Sequence, residues 1–418
     1  MNVDVLIVGA GPAGLAAAAE LRRLGAGQVL VADREQQPGG VPRHSAHTGY
    51  GMRDLHRMLT GPAYARRYAA AATAAGAEIR AGTTVTGWAG NGCATLTSPS
   101  GIETVSARAV LLATGCRERP RPARLVPGDR PAGVMTTGEL QQRVYTRGER
   151  LPGRALVVGA EHVSFSAMVT LAHAGADVVA LVTELPRQQS YAAFALAAAA
   201  RWRVPVWAST AVRQVIGHDR LTGVELADVR TGAVRSVACD TLVFTGNWIP
   251  DYELARAAGT AMDPGTRGPL VDTALLTSVP GVFAAGNLVH AAETADIAAL
   301  SGRHAAARIA AALSRRPEPG AAGPDPAGRV PIEVEPRLAW ISPNAIAFPA
   351  GSAGPPPRGR FVLRSHVFAR RAGLEVCQGD RALARTRTRL IPNRSVTLES
   401  GWLTRVQPSG GPVRVRVI

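Results

Sequence analysis

The chain has 418 residues, and its 47 basic residues outnumber 31 acidic ones to give a formal net charge of +16. All of the basic residues are arginine, and no basic run with interleaved aromatic residues, the usual mark of a nucleic-acid-binding surface, occurs in the sequence. We therefore predict no nucleic-acid partner and attribute the charge to a GC-rich codon supply, which also enriches Ala, Gly and Pro.

No apolar run in the sequence reaches the roughly eighteen residues that a membrane-spanning helix requires, and no basic region precedes the first apolar run. We expect a cytoplasmic protein without a transmembrane segment. Cys93, Cys116, Cys239 and Cys377 are too far apart for a CxxC motif. Structural zinc, a ferredoxin-type cluster and a vicinal redox dithiol are therefore not expected, and no metal site is predicted.

The first elements of the chain are predicted to be a strand, a glycine-rich turn and a helix. Residues 5–8 are an uninterrupted apolar run, which suits a parallel strand buried on both faces. Gly9, Gly11 and Gly14 follow in the spacing GxGxxG, which allows a tight turn, close approach of backbone to a pyrophosphate and close packing of helix on sheet. Pro12 falls in the first helical turn, where its missing N–H costs nothing.

A second predicted strand, residues 29–32, leads to Asp33, nineteen residues after Gly14. A carboxylate at this position accepts hydrogen bonds from both hydroxyls of an adenosine ribose and repels a ribose 2′-phosphate. Strand, turn, helix, strand and acidic residue occur in the order that a dinucleotide site requires, so we predict such a site here.

The segment 3–40, with Pro38-Gly39-Gly40 after its acidic residue, resembles the FAD half of the two-dinucleotide-binding-domain flavoproteins, the glutathione and thioredoxin reductase superfamily. Residues 110–115, which end in Ala-Thr-Gly, and residues 281–287 match two later motifs of that superfamily. Asn287 replaces the usual Asp, and its amide can accept a ribityl hydroxyl hydrogen bond without adding negative charge. The resemblance implies a non-covalent FAD bound by Gly9, Gly11, Pro12, Ala13, Gly14, Asp33, Arg34, Gly39, Gly40, Thr114, Gly115, Gly286 and Asn287.

Residues 39–65 are also similar to a bacterial group of FAD oxidoreductases related to the α-type subunits of hydrogen cyanide synthase, opine oxidase and heteromeric proline dehydrogenase. The residues that carry this resemblance are Gly-Gly…His-Thr-Gly-Tyr-Gly…Leu-Thr-Gly-Pro-Ala-Tyr-Ala. It implies a small amino-acid-like or polyol-phosphate substrate. It also implies a partner, either a second flavoprotein resembling glycerol-3-phosphate dehydrogenase or an electron-carrier subunit. Ser45 stands where these relatives have a cysteine, so thiol chemistry is not expected there.

In the superfamily this segment passes along the flavin ring, which makes Arg43, His44 and His47 candidate catalytic residues. An imidazole beside a flavin can move a proton while the flavin moves a hydride. Alternatively, the two histidines only hydrogen-bond the turn in which they lie. Arg43 would either stabilise an anionic reduced flavin or form a salt bridge. His290, just before a predicted helix, is a third candidate imidazole.

Residues 151–184 repeat the opening segment, with Gly159, Ser164 and Glu184 at the positions of the first and last glycines and of the acidic residue. A second Rossmann-like unit is therefore predicted. Its turn reads GxExxS, so Glu161 brings bulk and negative charge to the place where a pyrophosphate needs bare backbone. NAD binding in the usual pose is disfavoured, although NAD or another adenine nucleotide stays an alternative. Glu184 would favour a plain ribose over a 2′-phosphate.

The predicted fold class is α/β, with an FAD and an NAD-like Rossmann domain, the second inserted in the first, and a small C-terminal β domain. The β domain would either dock a partner or a second copy, or cap the core. The predicted boundaries are 1–117 and 241–313 for the FAD domain, 118–240 for the NAD-like domain, 314–331 for a Pro/Gly/Ala-rich linker and 332–418 for the β domain.

We predict an FAD-dependent oxidoreductase that works as one component of a multi-component dehydrogenase. Two alternatives remain at this point. The first is a stand-alone NADH-dependent flavoprotein reductase, and the second is a non-catalytic scaffold subunit that retains a folded flavin domain. Bleaching of the flavin by NADH would favour the former, and purified protein without flavin absorbance the latter.

Overall fold

The computed structural model describes residues 1–90, 92–314, 328–348 and 354–418. Most of the predicted linker, residues 315–327, lies outside the described residues. The chain forms two compact units. Met1–Cys116 and Pro250–Ile418 make up the first unit, and Arg117–Ile249 make up the second, which is therefore an insertion in the first.

A mixed sheet and two helices form the first part of the first unit. The predicted strand–turn–helix–strand segment is present, and its helix begins at Pro12 and ends two residues before Gly25, whose φ is +75°. The first strand pairs in parallel with the second and the eighth. The elements are β1 (Asn2–Val8), α1 (Pro12–Arg23), β2 (Val29–Ala32), β3 (Thr48–Tyr50), β4 (Leu59–Thr60), α2 (Gly61–Ala74), β5 (Glu78–Arg80), β6 (Thr84–Gly90), β7 (Cys93–Ser98) and β8 (Gly101–Leu112).

The second unit contains a parallel sheet in the order β10-β17-β11-β12-β13 and a smaller antiparallel sheet in the order β14-β15-β16. Short strands β9 (Cys116–Glu118) and β18 (Trp248–Pro250) lie where the chain passes between the units. The other elements are β10 (Val134–Thr136), α3 (Thr137–Gln141), β11 (Gly153–Val158), α4 (His162–Ala174), β12 (Ala176–Val182), α5 (Ala192–Trp202), β13 (Val206–Trp207), β14 (Thr210–Ile216), β15 (Gly223–Asp228), β16 (Val234–Ala238) and β17 (Thr241–Phe244).

The last strand of this sheet differs from the predicted domain boundary. The sequence boundary at residue 241 assigns β17 to the FAD domain, but β17 pairs in parallel with β10 and β11 of the second unit. All four residues of β17 are buried, which is typical of a central strand of a parallel sheet. In the second unit β17 lies between β10 and β11 and so has this central position. The chain returns to the first unit at Pro250.

On its return, the chain completes the first sheet and adds a long helix. The elements are α6 (Glu253–Ala257), β19 (Val282–Ala284) and α7 (Ala295–Ser314). Strand β19 pairs in parallel with β8, so the main sheet has the order β5-β2-β1-β8-β7-β6 with β19 beside β8. Helices α1 and α7 can approach closely because Gly302 has no side chain. A Cβ at this position would lie 2.0 Å from the carbonyl oxygen of Ala13.

The C-terminal strands form two sheets that share one hydrophobic core. One sheet has the order β22-β20-β27-β24-β25 and the other β21-β23-β26. The strands are β20 (Val330–Val334), β21 (Leu338–Ser342), β22 (Ala345–Ile346), β23 (Arg360–Ser365), β24 (Ala369–Gln378), β25 (Arg381–Leu390), β26 (Val396–Glu399) and β27 (Val413–Val417).

Buried polar contacts join these strands to the rest of the first unit. Arg329 forms an ion pair with Asp272 at 3.0 Å, and the two side chains are only 9% and 2% exposed. The Asn344 side chain accepts a hydrogen bond from the Val271 N–H at 2.8 Å. Because charges buried at this depth are stable only when paired, the two segments are held in one arrangement.

The predicted fold class is confirmed: two Rossmann-like parallel sheets are accompanied by a small C-terminal β region. Among the described residues, no helix combines the length and the apolar composition needed to cross a bilayer.

Candidate functional site

The first glycine turn lies at the carboxyl end of β1, where two of its glycines are required by packing. Gly9 has a φ of +107°, and a Cβ there would lie 2.5 Å from the carbonyl oxygen of Ala113. A Cβ at Gly14 would lie 1.9 Å from the carbonyl oxygen of Gly9. Helix α1 is thus pressed against its own preceding turn, which only glycine permits.

Gly11 differs from these two glycines because nothing lies within 4 Å of the position of its absent Cβ. Its φ of −79° is also accessible to any residue. Gly11 is the N-cap of α1, and no side chain caps the free N–H groups there. An open space above bare backbone at a helix N-terminus is the arrangement that binds a phosphate anion. The protein itself does not require glycine at this position, whereas a closely bound ligand would.

Asp33, at the end of β2, is buried to 9% exposure beside this turn. Its carboxylate accepts hydrogen bonds from the N–H groups of Ala10 and Glu35. Burial raises the pKa of the Asp33 carboxyl, while these two backbone hydrogen bonds act in the opposite direction. A carboxylate has about four lone-pair positions, so acceptor capacity for ribose hydroxyls remains. Asp33 therefore braces the turn as well as standing at the predicted ribose position.

Two further predicted segments, residues 39–40 and the segment around Gly286, meet the turn. The Gly39 N–H donates to the carbonyl of Ala10 at 2.7 Å, and a Cβ at Gly40 would lie 2.9 Å from the Cα of Gly11. A Cβ at Gly286 would lie 2.7 Å from the Cβ of Ala13. Backbone from residues 39–40 and 286 therefore surrounds the turn closely.

The remaining predicted cofactor residues lie at the neighbouring strand end. The Thr114 hydroxyl donates to the Asp251 carbonyl at 2.8 Å, and the Asp251 N–H donates to the Gly115 carbonyl at 2.9 Å. The exposed Arg34 side chain lies 3.7 Å from the Asp251 carboxylate. Asp251 thus connects two of the predicted segments.

Asn287 has different partners from those that the sequence predicted. Its amide nitrogen donates to the Glu293 carbonyl at 3.1 Å, and its amide oxygen accepts from the Glu293 N–H at 2.8 Å. Both polar groups of the amide therefore close the loop between residues 287 and 293. The oxygen keeps one lone pair for a ligand hydroxyl, but the side chain is committed first to its own loop.

The candidate catalytic residues occupy three different environments. His44 is 6% exposed in the 3-10 helix Val41–His44, whereas His47 is exposed. The Nδ1 of His47 lies 2.8 Å from the Thr48 carbonyl, so Nδ1 donates and Nε2 is left as the acceptor. Arg43 forms a salt bridge to Glu35 at 3.0 Å, which was one of its two predicted roles.

His290 is covered by the C-terminal β region. Its ring lies 5.0 Å from the Trp340 ring, and the Arg364 guanidinium lies 5.4 Å from the same ring. Burial, with a smaller contribution from the Arg364 charge, lowers the pKa of His290 to about 3. The imidazole is therefore neutral at physiological pH and cannot serve as a general acid there.

The loop after His290 meets the same β region. Arg364 donates to the Ala292 carbonyl, and the Ser395 hydroxyl donates to the Glu293 carboxylate. Within the first unit, the β strands thus cap the segment 287–293. These contacts join residues about 70 and about 100 positions apart, and no local sequence signal indicates them.

The second glycine turn has the same backbone scheme as the first. The Gly159 N–H donates to the Val182 carbonyl at 2.7 Å, as the Gly9 N–H donates to the Ala32 carbonyl at 2.8 Å. A side chain of the protein itself lies inside this turn, however, because a Cβ at Gly159 would be 2.9 Å from the Glu161 carboxylate. The Glu161 carboxylate accepts from the Ala160 N–H at 3.1 Å and from the Thr245 hydroxyl at 2.7 Å.

The other predicted residues of the second unit, Ser164 and Glu184, differ in whether they contact the cluster around Glu161. The Ser164 hydroxyl, fully buried, lies 2.6 Å from the Thr245 hydroxyl. A Cβ at Gly246 would lie 2.3 Å from the Glu161 carboxylate, so that glycine makes room for it. Glu184 is exposed and does not join the cluster by any short contact among the described residues. Glu161 therefore fills the turn from inside.

Two residues of this cluster were not singled out by the sequence. Glu118 is 7% exposed and accepts from the N–H groups of Gly138 at 2.8 Å and Gly246 at 3.3 Å. Burial raises the pKa of Glu118 to about 7, against the hydrogen bonds, and the negative charge of Glu161 adds to the increase. Arg124 donates to the Gly246 carbonyl at 2.8 Å and provides the nearby positive charge.

Comparison with known proteins gives the family. The family model of the pyridine nucleotide-disulphide oxidoreductases matches residues 3–302. The chain belongs to the pyridine nucleotide-disulphide oxidoreductase family. It is thus an FAD-dependent oxidoreductase, and the predicted resemblance to the two-dinucleotide-binding-domain flavoproteins is confirmed.

Individual relatives agree with this membership. An opine oxidase subunit of Agrobacterium tumefaciens is 34% identical over 37% of this chain and 32% of its own length. The alpha subunit of sarcosine oxidase from a Corynebacterium species is 29% identical over 82% of this chain and 36% of its own length. The chain thus spans about a third of the length of these relatives. Thioredoxin reductase of T. acidophilum superposes with a TM-score of 0.63 at 23% identity, covering 74% of this chain and 98% of that one, and shows the same fold.

The first turn fits the FAD that this family uses, and the second turn does not fit a dinucleotide. Around Gly11, bare backbone, uncapped N–H groups and a buried carboxylate face an open space. Around Glu161, a carboxylate of the protein stands where the first turn has only the backbone of Gly11, and a Cβ at Gly159 would lie 2.9 Å from that carboxylate. A dinucleotide at the second turn would have to displace a buried, hydrogen-bonded anion.

Replacing Gly11 with Val should abolish FAD retention, because the branched side chain would enter the space that a pyrophosphate needs, although its Cβ meets no protein atom within 4 Å in the described part of the chain. Flavin absorbance per folded protein is the measurement. Gly87→Val is the matched control, since a Cβ there also meets nothing within 4 Å and the residue lies in a strand away from the turn. A folded Gly11→Val protein with a normal flavin spectrum would refute the assignment of the first turn.

Glu118 should make the stability of the second unit depend on pH. Its pKa is about 7 in the folded state and 4.5 ordinarily, so between these values the folded protein holds a proton that the unfolded chain lacks. Stability should therefore fall as the pH rises from about 4.5 to about 7 and level off above. Thermal unfolding across this range should show a flatter profile for Glu118→Gln than for the parent or for the exposed control Glu184→Gln. Equal slopes in all three proteins would rule out this titration.

Proposed function

We propose that this protein is the FAD-binding subunit of a multi-component dehydrogenase that oxidises a small amino-acid-like or polyol-phosphate substrate. Electrons would leave through a second flavoprotein or electron-carrier subunit rather than through a disulphide or a nicotinamide. As part of the same proposal, we assign the protein to the bacterial cytoplasm.

The observation that carries the proposal is the carboxylate of Glu161 inside the second glycine turn. It accepts hydrogen bonds from the Ala160 N–H and the Thr245 hydroxyl and is 9% exposed. A pyrophosphate at this turn would meet the Glu161 carboxylate where the first turn has open space above Gly11, and it would be repelled by that charge. Direct reduction of the flavin by a nicotinamide bound in the usual pose is therefore disfavoured. In this proposal the substrate supplies the electrons, and a second flavoprotein or electron-carrier subunit receives them.

The predicted flavin-side segment supports the same conclusion. Residues 39–51 contain no cysteine, and Ser45 stands in the place of a thiol. Two of the relatives, from opine oxidase and sarcosine oxidase, are by name subunits of oxidases. This chain spans about a third of their length.

When bound, FAD supplies the hydride-transfer and electron-transfer chemistry. The residues of this chain would hold it and move protons. Gly11 and the free N–H groups of α1 would receive the pyrophosphate, and Asp33 would receive the ribose hydroxyls. His47, whose Nε2 is the free acceptor, would take up a proton from the substrate, and the buried His44 would hold the loop in place.

The second candidate function is a stand-alone NADH-dependent reductase, which the superposition on thioredoxin reductase favours. It requires a nicotinamide to reach the flavin, and the filled second turn argues against it. A third, the non-catalytic scaffold, differs in one measurable respect, because it predicts purified protein without reducible flavin.

Mixing the FAD-loaded protein with NADH under anaerobic conditions should leave the flavin oxidised, whereas Glu161→Gly should allow NADH binding and faster bleaching. The glycine removes the internal anion and restores the GxGxxS backbone. Sarcosine, an opine and glycerol 3-phosphate, added separately, test the two proposed substrate classes. Glu184→Gln is the control, since it removes a carboxylate of the same unit outside the turn. Rapid bleaching of the parent by NADH, unchanged in Glu161→Gly, would favour the reductase instead.

Replacing His47 with Ala should lower turnover roughly 10²–10⁴-fold if His47 is the proton acceptor, with FAD still bound. His44→Gln should instead lower flavin retention or thermal stability, because its side chain is buried. The measurement is the rate of flavin reduction by substrate, normalised to bound flavin. His218→Ala, whose side chain is 97% exposed, controls for the loss of an imidazole. A normalised rate in His47→Ala within about threefold of the parent would exclude the catalytic role of His47.

A further inference from the structure

A cleft on the outer side of the FAD-binding region has no part in the proposed reaction. It lies between helices α1, α2 and α7 and has a volume of about 320 Å³. This outer cleft is separate from the first glycine turn, because it uses the second half of α1. Its lining residues are Ala16, Ala19, Glu20, Arg23, Leu55, Arg67, Tyr68, Ala71 and Arg303.

Small side chains create the outer cleft. Ala13 and Gly302 bring α1 and α7 into backbone contact, and beside this contact Ala16 of α1 and Arg303 of α7 face the cleft. There, Ala16, Ala19 and Ala71 are too short to fill the space between three helices. The result is an apolar floor with charged residues at the rim.

The rim has a surplus of positive charge. Arg23 forms two hydrogen bonds with the Glu20 carboxylate, at 2.9 and 2.5 Å, and so neutralises it. Arg67 is exposed, and within the described part of the chain neither Arg67 nor Arg303 forms an ion pair with a carboxylate. Among the described residues that line the cleft, Glu20 is the one acidic residue, and it feels the charges of both Arg23 and Arg303, so three guanidinium groups meet one carboxylate there and the surplus favours an anionic occupant.

Arg303 is held in position by a buried hydrogen-bond network. Its guanidinium donates to the Tyr68 hydroxyl at 3.0 Å. The hydroxyls of Tyr68 and Tyr64 both donate to the buried Asp54 carboxylate at 2.6 Å. Tyr68 is 4% exposed and Tyr64 is fully buried, so this support is rigid. A long arginine side chain that is fixed before binding loses less conformational entropy when it meets a ligand.

We propose that the outer cleft is a binding site for a small anion, a phosphate or carboxylate group on a short apolar body, held by Arg67 and Arg303. The floor of alanines and Leu55 would cover the apolar body, and the two guanidinium groups would hold the anionic group. A volume of about 320 Å³ is at the lower end of the range for small-molecule sites, which matches a metabolite rather than a dinucleotide.

Calorimetric titration of the full-length, FAD-loaded protein with inorganic phosphate at constant ionic strength tests this proposal, with succinate as the carboxylate probe. Saturable binding is expected for at least one probe, and the stronger of the two names the anion class. Arg303→Gln and Arg67→Gln should each weaken it at least tenfold. Arg66→Gln, an adjacent exposed arginine of α2 that does not line the cleft, should bind like the parent.

Tyr68→Phe gives a second variant that keeps every charge and removes only the hydroxyl that orients Arg303. It should weaken binding by a smaller factor than Arg303→Gln while leaving the FAD content unchanged. The proposal fails if neither probe binds saturably, or if binding is the same in Arg303→Gln, Arg66→Gln and the parent. Because FAD content is measured separately, either result leaves the assignment of the glycine turns unaffected.

Discussion

Close backbone packing around the first glycine turn is the constraint on which the rest of the first unit depends. Helix α1 rests against its own turn at Gly14, the end of β8 rests against Gly9, and α7 crosses α1 where Gly302 meets Ala13. At each of these points a single methyl group would lie within 2.5 Å of a carbonyl oxygen. Since carbonyl oxygens of the backbone cannot move aside cheaply, the turn has only one geometry. That geometry leaves the turn open above Gly11, where no atom of the described residues lies within 4 Å of a Cβ position. This open space is the proposed binding place of the FAD pyrophosphate.

The second turn shows what the same backbone does when an anion is built into the chain. In the first unit the N–H of Ala10 is bound by Asp33, a residue that arrives from the next strand. In the second unit the equivalent N–H of Ala160 is bound by Glu161, its immediate neighbour, whose other oxygen accepts from Thr245. The positive end of a helix needs a negative partner in either case. The difference between the turns is where the carboxylate lies: Asp33 leaves the space above Gly11 open, whereas Glu161, at the position equivalent to Gly11, brings a negative charge into the second turn itself.

The sequence was sufficient to predict those features whose residues lie close together along the chain. The glycine spacing, the acidic residue after the second strand and the repeat of the whole segment are local patterns, and the fold class followed from them. The partners of single side chains were not predictable in this way. The Asn287 amide bonds Glu293 because a loop folds back on itself, and the half-buried His290 packs against Trp340 from beyond the linker. Glu118 joins the second turn through β9, far from the motif, and carries no sequence signal of its own.

The buried ion pair between Asp272 and Arg329 also has a consequence for how such chains can be recombined. The charge of Asp272 belongs to the flavin-binding segment and that of Arg329 to the start of the C-terminal strands, and Asn344 adds a second bond across the same join. A transplant of residues 328–418 from a relative without an arginine at position 329 would leave a buried carboxylate unpaired, which typically costs about 3–5 kcal/mol. Segments 271–273 and 328–346 must therefore be exchanged together. A chimeric protein joined at the linker alone would separate the two partners of these buried contacts.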